Sequence, residues 1–181
     1  MQTINELPPN QADIENSTYN FQTELAKKLD SLNSDFDQAT INEIVLWKVN
    51  RYVSIDTETI ELLNKIKKSD TELNPELTRV ILLKLLHKEQ KGVRLAMAST
   101  ILRFKNPTIY QIIDQRVYRF IYGLELKYSE TDLNQQITIY FDYLKKLRTI
   151  CDEHKVDFQL ADRIFYSMDK NYNVGENLYG Y

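Results

Sequence analysis

The stretch NPELTRVILLKLLHKEQKGVRLAMASTILRF, Asn74 to Phe104, decides the fold class. Asn74-Pro75 places a side-chain acceptor and an N1 proline in the order that opens a helix. Leu77, Val80, Ile81, Leu82, Leu83, Leu85 and Leu86 follow with little polar interruption. Such a helix is expected to be the central one, covered on most sides. A basic turn from His87 to Lys91 leads to Gly92. A second helix is expected from about Val93 to Phe104, with Ala96, Ala98 and Ser99 as a small-residue face. Asn106-Pro107 stops it. Two apolar helices joined at a glycine turn are the seed of an all-helical fold.

Working outward, a helix over about 19–32 would carry Phe21, Leu25, Leu29 and Leu32 on one stripe. Thr40-Ile41-Asn42-Glu43 has the capping-box spacing. The helix it opens would bury Ile41, Ile44, Val45, Val49 and Tyr52, with Trp47 nearby. Asp56 is placed to cap a helix with Ile60, Leu63 and Ile66 inside. Thr108 to Ile113 reads as extended. Asp114 is then expected to cap a helix that Gly123 ends. Ser129-Glu130-Thr131-Asp132 fits another capping box, ahead of a long helix bearing Leu133, Ile137, Tyr140, Phe141, Leu144, Leu147 and Cys151. Asp157 is placed to cap the last helix, with Ala161, Ile164, Phe165 and Met168.

No stretch alternates with period two, and no heptad is sustained. The fold expected is all-α, an orthogonal bundle of about seven or eight helices. Residues 1–17 read as a flexible lead-in, 18–170 as one helical domain with a helix-hairpin-helix element at about 75–104, and 171–181 as a surface tail.

Composition agrees. Of 181 residues, 43% are hydrophobic and 11% aromatic, enough for a core. Four glycines and four prolines are too few for a turn-rich sandwich or barrel. The single cysteine, Cys151, excludes an internal disulfide and points to a reducing, cytoplasmic setting. The N-terminus has no basic-then-apolar signal pattern, and no run is long and apolar enough to span a bilayer. A net charge of -3 gives no overall basic footprint. The charge is segregated, however: between Arg79 and Lys105 only Glu89 is acidic.

The hairpin at Lys91-Gly92-Val93-Arg94 suggests an anion site. At such a turn the first N–H groups of the next helix are free, and the helix dipole adds to them. Lys88, Lys91 and Arg94 would strengthen the attraction for a DNA phosphate. The plain alternative is an ordinary turn with solvated lysines. Downstream comes Tyr110-Gln111-Ile112-Ile113-Asp114-Gln115-Arg116-Val117.

Hairpin, Ala98, proline loop and helix-capping Asp114 together resemble the helix-hairpin-helix/Gly-Pro-Asp superfamily of DNA glycosylases. Ala98-Ser99, Asn106-Pro107, Tyr110 and Asp114-Gln115-Arg116-Val117 are similar to a divergent bacterial branch of it. Leu46-Trp47-Lys48 and Asp162-Arg163-Ile164-Phe165 fit that branch too. The resemblance is tight over about residues 86–122.

What the resemblance implies is a glycosylase-like fold and binding to double-stranded DNA, damaged DNA included. Asp114 would be the catalytic carboxylate, stabilising positive charge on the sugar or orienting water. Trp47, Tyr110, Tyr118 and Phe165 would stack on a flipped base. Lys88, Lys91, Gly92, Val93, Arg94 and Arg116 would hold the backbone. Two departures stand out. Arg94 replaces the second hairpin glycine, where positive φ would disfavour it. The lysine of bifunctional members falls on Ala96, which removes that route to strand cleavage and leaves a monofunctional enzyme of base excision repair.

Each residue also has a plainer role: Asp114 as a helix cap, the aromatics as core, Arg116 paired with Asp162. The alternative is a catalytically inactive helical interaction module that keeps only the fold. No cofactor or metal is expected, since two histidines and one cysteine supply few ligands. Phosphate-loop, nucleophile-elbow and dinucleotide motifs are absent.

Overall fold

The computed structural model describes residues 1–15, 22–49, 53–88, 90, 92–176 and 178. Phe21, Tyr52 and the hairpin residue Lys91 lie outside them, and the side chain of Val49 is likewise not described. Among the described residues there are nine α-helices and no strand. They are α1 (Gln11–Glu15), α2 (Thr23–Ser31), α3 (Gln38–Val49), α4 (Thr57–Asn64), α5 (Pro75–Leu85), α6 (Leu95–Lys105), α7 (Gln115–Tyr122), α8 (Leu133–His154) and α9 (Ala161–Tyr172). This is the all-helical bundle that the patterning predicts.

Several helix starts follow the local chemistry. Asp56 accepts from the N–H of Thr59 at 2.8 Å, and Asn74 from that of Leu77 at 3.0 Å. Asp114 accepts from the N–H of Arg116 at 2.9 Å, and Gly123, at φ 68°, closes α7. Three starts differ from expectation. Asp37, not Thr40, begins α3: both the N–H and the hydroxyl of Thr40 bond to its carboxylate. Asp132 caps α8, accepting from the N–H of Gln135 at 2.9 Å, while Gln135 Oε1 accepts from the N–H of Ser129. An aspartate competes well with a hydroxyl for this position, and in both places one stood within three residues. Asp157 caps a one-turn 3-10 helix, Phe158–Leu160, which then runs into α9.

The central helix is α6 rather than α5. Ten of its residues are buried, all but Ala96, whereas α5 leaves Val80 44% exposed. Of the expected small residues, Ala98 and Ser99 are buried and let neighbours come close, whereas Ala96 is not buried. α3 packs on α6, and α4 on α5. Burying α6 also buries its basic C-terminal turn. Arg103 pairs with Asp30 and donates to the carbonyl of Gln159, and Lys105 donates to Asn64 Oδ1 at 2.8 Å over the ring of Phe36. Charges removed from water need such partners.

The irregular segment after α6 is buried as well: Ile109 to Ile113 are each at most 4% exposed. The N–H groups of Ile109 and Tyr110 donate to the carbonyl of Asn106, and side chains satisfy other backbone groups. Tyr140 donates to the carbonyl of Gln111 at 3.0 Å, Tyr143 to that of Ile112 at 2.7 Å, and Ser99 Oγ accepts from the N–H of Ile113.

α7 packs chiefly against α9. Between them Arg119, 2% exposed, forms a two-pronged pair with the fully buried Asp169, at 2.9 and 2.6 Å. The amide of Asn173 adds a third donor to Asp169 and also bonds both backbone groups of Gln2. Residues 1–15, read from the sequence as a loose lead-in, therefore contribute to this corner. Ile4 is buried, and its N–H donates to the carbonyl of Phe120. At the other end Asn173 and Leu178, expected in a surface tail, are buried.

Removing Asp169 leaves the Arg119 guanidinium buried without its carboxylate. Asp169→Ala is expected to cost about 3–5 kcal/mol, read as a lowered urea midpoint. A second expectation concerns alkali. Burial pushes Tyr122 and Cys151 up to about 12 and raises Tyr140 and Tyr143 well above the ordinary tyrosine range. The unfolded chain therefore loses these protons first, and stability falls as pH climbs from about 9 towards 12. Denaturation midpoints taken across that window check this, and a flat profile would contradict it.

Candidate nucleic-acid interface

The turn between α5 and α6 is built from short backbone bonds. The N–H of His87 donates to the carbonyl of Lys84, and that of Gln90 to the carbonyl of His87. Gly92 sits at φ 86°, a conformation that a side chain would oppose. Val93 is buried and anchors the turn to the core. Gln90 reaches across to the carboxylate of Asp56, the cap of α4. Burial works to raise Asp56, but donors from Thr59 and Gln90 and the charge of Lys84 outweigh it and hold the carboxyl below its usual range.

Arg94 adopts φ -112° and ψ 175° at the N-cap of α6. Its backbone is ordinary extended chain, so an arginine here carries no strain. A guanidinium has no acceptor, and Arg94 gives α6 no side-chain cap. Among the described residues, no side chain caps the first turn of α6. The Arg94 side chain is 73% exposed and pairs with Glu130 at 3.0 Å. Lys88 is exposed on the approach to the turn.

The remaining basic candidate lies elsewhere. Arg116 turns towards α9, 3.2 Å from Asp169, with its guanidinium over the ring of Tyr166 at 5.9 Å. It does not pair with Asp162, which faces Arg103 at 4.0 Å. Asp114 is 6% exposed. One carboxylate oxygen caps α7, and the other faces Lys48 Nζ of α3 at 3.7 Å.

The aromatic candidates do not come together as a pocket. Trp47 is 1% exposed and meets Phe104 edge-on at 5.1 Å. Tyr110 is equally buried, its hydroxyl 2.7 Å from that of Thr78. Phe165 is fully buried beside Phe120. Tyr118 alone of the four is half-buried, stacked on Tyr122 at 4.4 Å. A cavity of about 410 Å³ does lie beside the hairpin, lined by Asp56, Val80, Leu83, Lys84, His87 and Gln90. Asp114 is not in its wall.

Two residues at this interface were not singled out by sequence reasoning. Lys48 was noted only as part of the Leu46-Trp47-Lys48 string, and its contact with Asp114 joins residues too far apart in the chain for spacing to show. Glu130 was read as part of a helix cap, and the altered start of α8 is what frees it to meet Arg94.

Among the described residues, no group of three His, Cys, Asp or Glu side chains could hold a metal ion, and no helix is long and apolar enough to cross a membrane. The chain matches no family model, no curated protein and no solved structure.

The Asp114 geometry yields a stability test. Asp114→Ala removes the α7 cap and leaves Lys48 without its carboxylate. The expected cost is about 1–2 kcal/mol, and Asp114→Asn, which keeps an acceptor, should cost less. Equal urea midpoints for wild type and the alanine variant would show that the cap contributes nothing.

Proposed function

We propose that this chain is a DNA-binding protein of the helix-hairpin-helix glycosylase type, holding a duplex phosphate at the start of α6. The observation that carries this reading is the hairpin itself. Gly92 makes the turn, Arg94 at the N-cap supplies no side-chain acceptor to the first N–H groups of α6, and its guanidinium is exposed. An anion placed there would meet backbone donors, the helix dipole and a mobile cation together. Lys88 adds a further charge. The lone buried cysteine suits a protein that works in the reducing cytoplasm.

The geometry favours binding over base excision. Asp114 is engaged by its own helix and by Lys48, and three of the four candidate stacking rings are core. A flipped base would have to displace that core. The reading is therefore of a protein that keeps the hairpin contact and a glycosylase-like scaffold, without lyase chemistry at Ala96.

Binding to a fluorescent duplex, intact and abasic, at two salt concentrations tests it. Wild-type affinity should fall steeply with salt, and Arg94→Glu should weaken binding at least tenfold at low salt. Both positions are exposed, so Lys88→Glu serves as a second, fold-neutral variant with the same direction of effect. No binding even at low salt, or wild-type affinity in Arg94→Glu, would overturn the proposal.

A further inference from the structure

A larger cavity, of about 540 Å³, opens between residues 71–75, Ile109 and α8. That volume is in the range of small-molecule sites. Its surface is mainly apolar: Leu73, Ile109, Phe141 and Leu144 line it, with Ile109 and Leu144 nearly buried at 4% and 5% exposed. One edge is cationic. Lys145 and Arg148 stand one turn apart on α8, so their heads share a face. Lys145 has no carboxylate partner among the described residues. Arg148 is anchored by the carbonyl of Thr108 at 2.7 Å and by the ring of Phe158 at 3.9 Å, neither of which cancels its charge. Glu72, in the wall made by residues 71–75, is the single acid of the lining.

We propose that this cavity binds a small amphipathic monoanion, such as a medium-chain carboxylate. The apolar body packs against Leu73, Ile109, Phe141 and Leu144, and the carboxylate sits between Lys145 and Arg148. Two cations against one acid favour one negative charge. The apolar lining rejects ligands that are polar throughout, because their groups would go unpaired. This inference stands apart from the hairpin reading and does not depend on DNA binding.

Titration calorimetry of the full chain with sodium octanoate, and separately with 1-octanol, tests it. Octanoate should bind at one site, more tightly than the alcohol. Lys145→Glu should weaken it at least fivefold, and Glu72→Gln should tighten it. Thr71→Phe, a rim substitution at an exposed position, should block it. These changes are at the surface, so the fold is retained and loss of binding reports the site. Undetectable octanoate binding overturns the proposal. So does equal affinity for the alcohol, or binding that Thr71→Phe leaves unchanged.

Discussion

An irregular chain segment buried at the heart of a helical protein must have its peptide groups satisfied without a ladder. Residues 109–113 impose that constraint here. Ile109 and Tyr110 donate to the carbonyl of Asn106, but Gln111 to Ile113 have no such regular ladder and are buried from water. The solution is a set of hydroxyls aimed inward from two helices: Tyr140 and Tyr143 from α8, and Ser99 from α6. This accounts for tyrosine rather than phenylalanine at two fully buried positions. It also explains why α6 must be small at Ser99, since a larger side chain would push the segment away. The segment in turn delivers Asp114 to the start of α7 and Tyr110 to Thr78.

Charge is handled in the same manner. Arg103, Lys105 and Arg119 are as buried as the leucines around them, and each meets an acid or amide brought by another helix. Such pairs add less to stability than their short distances suggest, because desolvation offsets attraction. What they do is penalise misdocking: α7 and α9 cannot slide without stranding Arg119. The hairpin is the opposite case. Arg94 is exposed, its side chain gives α6 no cap, and its partner Glu130 is itself 65% exposed. Pairing is thus buried inside the fold and solvent-exposed at the turn.

How much of this could be read in advance differs by level. Helix identity and the caps at Asp56, Asn74 and Asp114 were legible because they depend on residues within one turn of each other. The starts at Asp37 and Asp132 were misplaced for the same local reason: two capping residues stood close together, and the aspartate prevailed over the hydroxyl. The rank of α5 and α6 was inverted because hydrophobicity reports what a helix would bury, while close approach depends on small residues, which such a count undervalues. At the candidate site, Gly92 and Arg94 were legible as a hairpin. The partners of Arg116 and Asp114 were not, since Asp169 and Lys48 lie more than fifty residues away in the sequence and nothing local links them.

The meeting of Gln2 with Asn173 has a consequence for how the chain comes into being. The two residues are 171 positions apart, so Gln2 must wait for residue 173 to be synthesised before it finds this partner. Ile4 waits for Phe120, and Arg119 is made before its carboxylate at Asp169. The corner joining Gln2, Arg119, Asp169 and Asn173 therefore closes late relative to the helices between them, which need only local contacts to form.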